Sequence, residues 1–544
     1  MRSSTGGTVR AAEGSVNEAG RPAAWSRLRF ASPRPVRAGP LTGARGRAQH
    51  RRVANHAPDS WRDDAALAAA ITQGRGEAWE SLLERYGTFV ETVAARVVDE
   101  RRLGPRLEEL RGATEAAFDA LRRNEAAPFR LWSGVGSLRA LLAVVARGAV
   151  GAHLEQVTPL APVVTSLPTP AAVYLDEIAA AVPASGVEAT LGRLAPAVGA
   201  VVRLRLRGMD RNAIGATLGL PPGSVESCLS RLADRLGEMG AGSADPDSVR
   251  RIWRVELDAA DPAERVTVAL RCADDARFRA TRNAIRASWR AVRDHARFAA
   301  HLRPPVDFDE RTAAAFADGS LRGAERARVE GLLATHPRCV DVVAALVLDL
   351  RAWQPLREAS ALAGPVAVAA ACLATGRLRV AELLAAHGAD VGADRARALL
   401  RLARAARSLE SDGDPSGAAG EPSRVVPTRH VGSGEREIPV AAFEALVAGD
   451  GRAAIRYVDD ELGRSSLGAR LRLLALASGV DIEAACRLAR EATVPGARVR
   501  SDPGLLVDAE YVLALPPGSS LPRELLAERL REALPAVVRF VASA

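Results

Sequence analysis

The chain has 544 residues, 48% of them hydrophobic and 26% charged, enough for several packed cores and three or four domains. Its formal net charge is +9, and every basic side chain is Arg, with no Lys anywhere. The five Cys stand far apart, at 228, 272, 339, 372 and 486, with no CxxC pair; this excludes a disulfide framework and points to a reducing, cytoplasmic setting.

Residues 1–58 hold eleven Arg and two Glu, so this tail alone carries a charge equal to that of the whole chain. Basic, rich in Gly, Ala and Pro and without apolar periodicity, it reads as disordered. It lacks the continuous apolar core of a secretory signal. From 59 to 155 four helices follow. Asp63-Asp64 caps one over 65–73, and Gly74-Arg75-Gly76 ends it. Ala78, Leu82, Leu83, Tyr86, Val90, Val93, Ala94 and Val97 mark the inner face of a second. A third spans 107–121 and a fourth 136–147. Residues 156–186, rich in Pro, read as a linker.

The block 187–240 holds the most informative stretch, Met209 to Leu236. Ile214 and Leu218 form the apolar face of a short helix over 212–218, and Gly219 suits a chain leaving a helix with positive φ. Pro221-Pro222-Gly223 makes a turn, and Ser224 stands where an N-cap opens the next helix. Val225, Leu229, Leu232 and Leu236 recur there at helical spacing. Two helices joined by a tight turn in this way form a helix-turn-helix.

Further along, 250–304 is helical, most clearly from Arg277 to Leu302, and with 306–352 makes up a region 250–352. Residues 353–410 are Ala/Leu/Arg helices, 411–434 form a Gly/Ser/Pro-rich linker, and 435–544 are mostly helical, with a short extended piece expected at 505–515. The expected fold class is all-α and multidomain. No stretch reaches 18 strongly apolar residues; the best candidate, 361–375, is short and dominated by Ala, so no membrane span is expected.

Three of these pieces resemble known families. Residues 187–238 resemble region 4 of the extracytoplasmic-function sigma factors of bacteria through Leu194, Pro196, Leu204, Gly208, Ile214, Leu218, Gly219, Pro221, Gly223, Val225, Ser227, Leu229, Arg231 and Leu236. The run from Asp63 to Val97 and the phrase GSLRALLAVVAR at 136–147 are similar to region 2 of the same group. Phe308 to Cys339 resembles the zinc-containing anti-sigma domain, through the 315–319 run Ala-Phe-Ala-Asp-Gly, Leu321, Glu330, Leu333, Pro337 and Cys339. That family's metal-binding pattern falls on Leu332, His336 and Cys339, which leaves two ligand types where a closed zinc site needs four. No metal or other cofactor is therefore expected.

The resemblance implies a sigma factor-like regulator of transcription initiation. It implies binding of core RNA polymerase through the third helix, at Glu108, Glu109, Glu115 and Phe118. It implies binding of promoter DNA through the second helix of the helix-turn-helix, at Ser224, Ser227, Ser230, Arg231 and Arg235. A fused anti-sigma-like region implies an intramolecular contact that masks these surfaces. Departures from the family fall at binding positions: Arg111-Gly112 replaces an acidic pair, and Glu226 replaces a basic residue and repels phosphate. The alternative is a protein-interaction regulator that keeps both folds as docking modules without promoter recognition. No nucleotide-binding, zinc-protease or nucleophile-elbow motif is present, so no catalytic residue and no enzymatic activity are expected.

Overall fold

The computed structural model describes residues 63–100, 106–132, 134, 136–157, 196–239, 245–299, 308–358, 364–390, 394–411, 438–458, 465–494 and 502–543. The basic tail 1–58, the linker 158–186, the leading residues 187–195 and most of 411–434 lie outside them. Among the described residues every regular element is a helix and there is no strand, so the all-α expectation holds.

The first block is α1 (Asp64–Thr72), α2 (Gly76–Glu100), α3 (Leu107–Arg130) and α4 (Leu138–Val157). Asp63 caps α1 by accepting from the Ala65 amide. The regular part of α3 stops at Arg122, after which 124–126 take positive φ, close to the expected end at 121. The fourth helix runs ten residues past Arg147, because Val150 and Leu154 continue its buried stripe. At 20 residues with mean hydropathy 1.2, α4 is long and apolar enough to cross a membrane, contrary to the expectation that no stretch reaches that mark. It packs against α2 and α3.

The second block is α5 (Pro196–Leu206), α6 (Arg211–Leu218) and α7 (Pro222–Met239). Then come α8 (Pro246–Glu256), α9 (Pro262–Asp274) and α10 (Ala276–Ala299). The buried Trp253 meets Trp289 edge-to-face at 6.1 Å, tying α8 to α10. The third block is α11 (Glu310–Ala317), α12 (Gly323–Thr335) and α13 (Pro337–Glu358). After these come α14 (Gly364–Ala374), α15 (Leu378–Asp390) and α16 (Asp394–Ser411).

The C-terminal part comprises α17 (Ile438–Val447), α18 (Gly451–Tyr457), α19 (Ser466–Ala475), α20 (Ile482–Thr493), α21 (Pro503–Leu513) and α22 (Arg523–Ser543). The extended piece expected at 505–515 is instead helix α21. Asp502 accepts from the Gly504 amide at 2.9 Å, and Pro503 at the first helical position lacks only an amide that had no partner to find. Leu505, Asp508, Ala509 and Val512 then bury one helical face, which outweighs the strand preference of Val507, Tyr511 and Val512.

The central element is α13. It packs on α2 and α4 of the first block, on α5 of the second, on α11 and α12, and on α14 and α22. The described residues accordingly form one compact unit rather than a string of separate cores.

Candidate nucleic-acid interface

Helices α6 and α7 and the turn between them are built from local rules. Asp210 caps α6 by accepting from the Ala213 amide at 2.7 Å. Gly219 closes the helix at φ +68°, in the left-handed region where a side chain is strained. The Leu220 amide then reaches back to the Gly215 carbonyl at 2.8 Å. The second helix starts three residues earlier than expected, at Pro222, so Ser224 lies in its first turn and is not the cap. Proline fits that position because its fixed φ is already helical. Val225, Leu229, Leu232, Ala233 and Leu236 face the core at 1% exposure or less.

The opposite face of α7 is open. Ser224, Ser227, Arg231 and Arg235 are exposed and Ser230 is half-buried. Arg231 and Arg235 have no ion pair among the described residues. The neighbouring Asp234 is engaged elsewhere, 3.5 Å from Arg250. The structure thus brings four of the five residues expected at DNA onto one accessible strip. Glu226 lies beside that strip, 3.0 Å from Arg211, so its charge is partly offset from within the motif.

The residues expected at the polymerase are divided. Glu108 and Glu115 are exposed, and their seven-residue spacing puts them on the same face of α3. Glu109 is half-buried. Phe118 is a core residue at 7% exposure, so most of its ring packs inside the block. Gly112 also has a packing reason. A Cβ there would come 3.0 Å from His153 Nε2 on α4, so the glycine admits the imidazole between the helices.

The third block holds the first and second blocks at once, a relationship that sequence reasoning did not locate in residues. On the first block, the Ser137 amide donates to Asp318 at 2.8 Å, and Arg311 donates to the Leu131 carbonyl at 3.2 Å. Gly136, at φ +78°, allows the start of α4 so near α11 that a Cβ would meet Ala315 at 2.9 Å. Deeper in, Asp349 of α13 is fully buried between Arg96 at 3.1 Å and Arg147 at 2.7 Å. Arg147 also pairs with Glu100 at 2.7 Å, and Arg377 joins Asp99 at 2.9 Å. Burial acts to raise the Glu100 carboxyl, but Arg147, Arg377 and Arg96 outweigh it and hold it below the ordinary carboxylate range.

On the second block, Asp341 of α13 is buried 3.2 Å from Arg207, just past the end of α5. Burial raises its carboxyl above the ordinary value despite Arg207 and Arg203. Asp210, the cap of α6, lies 3.4 Å from Arg351 of α13. From α12, Arg326 reaches the Thr217 carbonyl at 3.5 Å, beside Gly219. One helix thus carries a buried carboxylate into each block, eight residues apart.

The remaining anti-sigma signature does not fit a zinc ion. Cys339 is fully buried, and burial alone pushes its thiol up. Leu332 occupies one ligand position, and among the described residues no three His, Cys, Asp or Glu side chains converge. Comparison with family models, with curated proteins and with solved structures finds no match to this chain.

Proposed function

We propose that this chain is a sigma factor-like regulator of transcription initiation whose anti-sigma-like region holds the two sigma-like blocks together. The observation that carries this reading is the exposed strip on α7, where Arg231 and Arg235 stand without ion pairs among the described residues, on the second of two helices joined by a tight turn. Unpaired guanidiniums on such a face suit phosphate contacts, and exposed serines between them suit phosphates or base edges. Core RNA polymerase is the proposed partner of the α3 face bearing Glu108 and Glu115.

A second reading is favoured by the pairing of Arg147 with the buried Asp349 of α13. In it, the sigma-like and anti-sigma-like folds serve as docking modules, and promoter recognition has been lost. Titrating the full chain with promoter-length duplex DNA across a salt series tests the choice. Binding that weakens steeply with salt supports the first reading. No binding at low salt favours the second.

A further inference from the structure

A cavity of about 430 Å³ lies between the α6–α7 pair and the C-terminal helices. Its walls come from the starts of α6 and α7, the 258–262 turn and the start of α9, and from α21 and α22. This volume lies in the lower part of the roughly 300–1,000 Å³ range of small-molecule pockets. Six carboxylates line it, Asp210, Glu226, Asp258, Glu510, Glu528 and Glu532, against three guanidiniums.

Each guanidinium is already engaged. Arg211 lies 3.0 Å from Glu226, and Arg265 lies 2.9 Å from Glu528. Arg529 lies 3.3 Å from Glu528 and also pairs with Glu532. An anion entering the cavity has to break one of these pairs, whereas a cation meets the unpaired Glu510 and can share Asp210 and Asp258, which pair with Arg351 and Arg265. Glu510 is exposed and has no ion pair among the described residues.

Tyr511 is the second observation. It lines the cavity, is 4% exposed, and stacks under Arg529 at 4.4 Å. Its ring is buried, while its hydroxyl makes no hydrogen bond among the described residues and is not one of the buried polar atoms, so it is open to the cavity that the residue lines. Burial pushes that hydroxyl up to about 12, so it keeps its proton and also offers lone pairs to an incoming N–H donor. Val507, 37% exposed, and Pro262 supply apolar wall for a methylene chain.

We propose that this cleft is a binding site for a small organic polyamine, with ammonium groups on Glu510, Asp210 and Asp258, methylenes along Val507 and Pro262, and an N–H donated to the Tyr511 hydroxyl. The test is calorimetric titration of the full chain, without nucleic acid, with spermidine, putrescine and inorganic phosphate at matched ionic strength. Saturable spermidine binding, tighter than putrescine, with none for phosphate, is expected. Tyr511→Phe and Glu510→Gln are each expected to weaken it by about tenfold. Neither variant should lower the melting temperature of the free chain, because neither group loses a partner. Three results overturn the proposal: no saturable spermidine binding up to about 10 mM, binding that both variants leave unchanged, or phosphate binding in its place. Since neither DNA nor polymerase is present, the outcome does not depend on the proposed role in transcription.

Discussion

Arg147 lies 2.7 Å from Asp349, although 202 residues separate them in the chain. Arg147 closes the phrase that resembles sigma region 2, and Asp349 sits midway along the helix that follows the anti-sigma-like signature. Their contact is buried and shared with Arg96 and Glu100, so the two blocks are joined through a charge network rather than by apolar packing alone.

Removing one member of such a network leaves the others buried without countercharge, which typically costs about 3–5 kcal/mol. Asp349→Asn is therefore expected to destabilise the chain by about that amount in urea denaturation. An effect below about 1 kcal/mol would mean that Arg96 and Arg147 find other partners or water.

Glu91 on α2 gives a pH signature. Burial raises its carboxyl from 4.5 to about 7. The folded chain thus holds this proton more tightly than the unfolded chain, and stability contributed by the protonated form is lost as pH rises from about 4.5 through 7. Glu91→Gln should melt higher than the parent at about pH 8 and show little difference near the ordinary carboxylate value. A tenfold difference in proton affinity is worth about 1.4 kcal/mol, so the gap on the alkaline side is expected to exceed about 1 kcal/mol. Equal melting temperatures at both pH values would contradict this.

The close approach of Gly112 to His153 predicts a graded response. Gly112→Ala is expected to change stability by less than about 1 kcal/mol, since a small shift of the imidazole offsets the contact against the gain in helix propensity. Gly112→Glu, which restores the acidic residue of the sigma-like pattern, should cost about 1–3 kcal/mol by forcing His153 aside. Combining it with His153→Ala should recover much of that loss in thermal melts.

Much of the fold is legible in the sequence because its helices obey local rules. Gly219 at positive φ, the Asp63 cap and the buried stripe of α7 all follow from short-range spacing. The start of α7 is harder to place because Pro222 and Gly223 read as turn residues, yet both sit in a first helical turn. Helix α21 is concealed because β-branched and aromatic residues hide the Asp502-Pro503 start. The same Asp-Pro signal opens α8 at Asp245 and α9 at Asp261, where side-chain caps are also present. The accessible strip on α7 is readable from periodicity. The burial of Phe118, the pairing of Glu226 with Arg211 and the anchoring of α13 are not, because each depends on partners distant in sequence or on which face the neighbouring helices cover.

On α7, Arg231→Ala should weaken duplex DNA binding across sequences and lower the slope of log affinity against log salt by about 1. Glu226→Lys should strengthen binding, because it replaces a repulsion and releases Arg211 from its 3.0 Å pair. Fluorescence anisotropy at low salt measures both. Unchanged affinity in both variants would mean that α7 does not enter the groove.

The most direct test of the central claim is the affinity of purified core RNA polymerase for the intact chain and for Asp341→Asn, with helical content of the variant checked by circular dichroism. The account predicts that the polymerase binds the chain, and binds Asp341→Asn more tightly because the hold of α13 on Arg207 is weakened. Absence of binding by both forms, with the variant still folded, would contradict it.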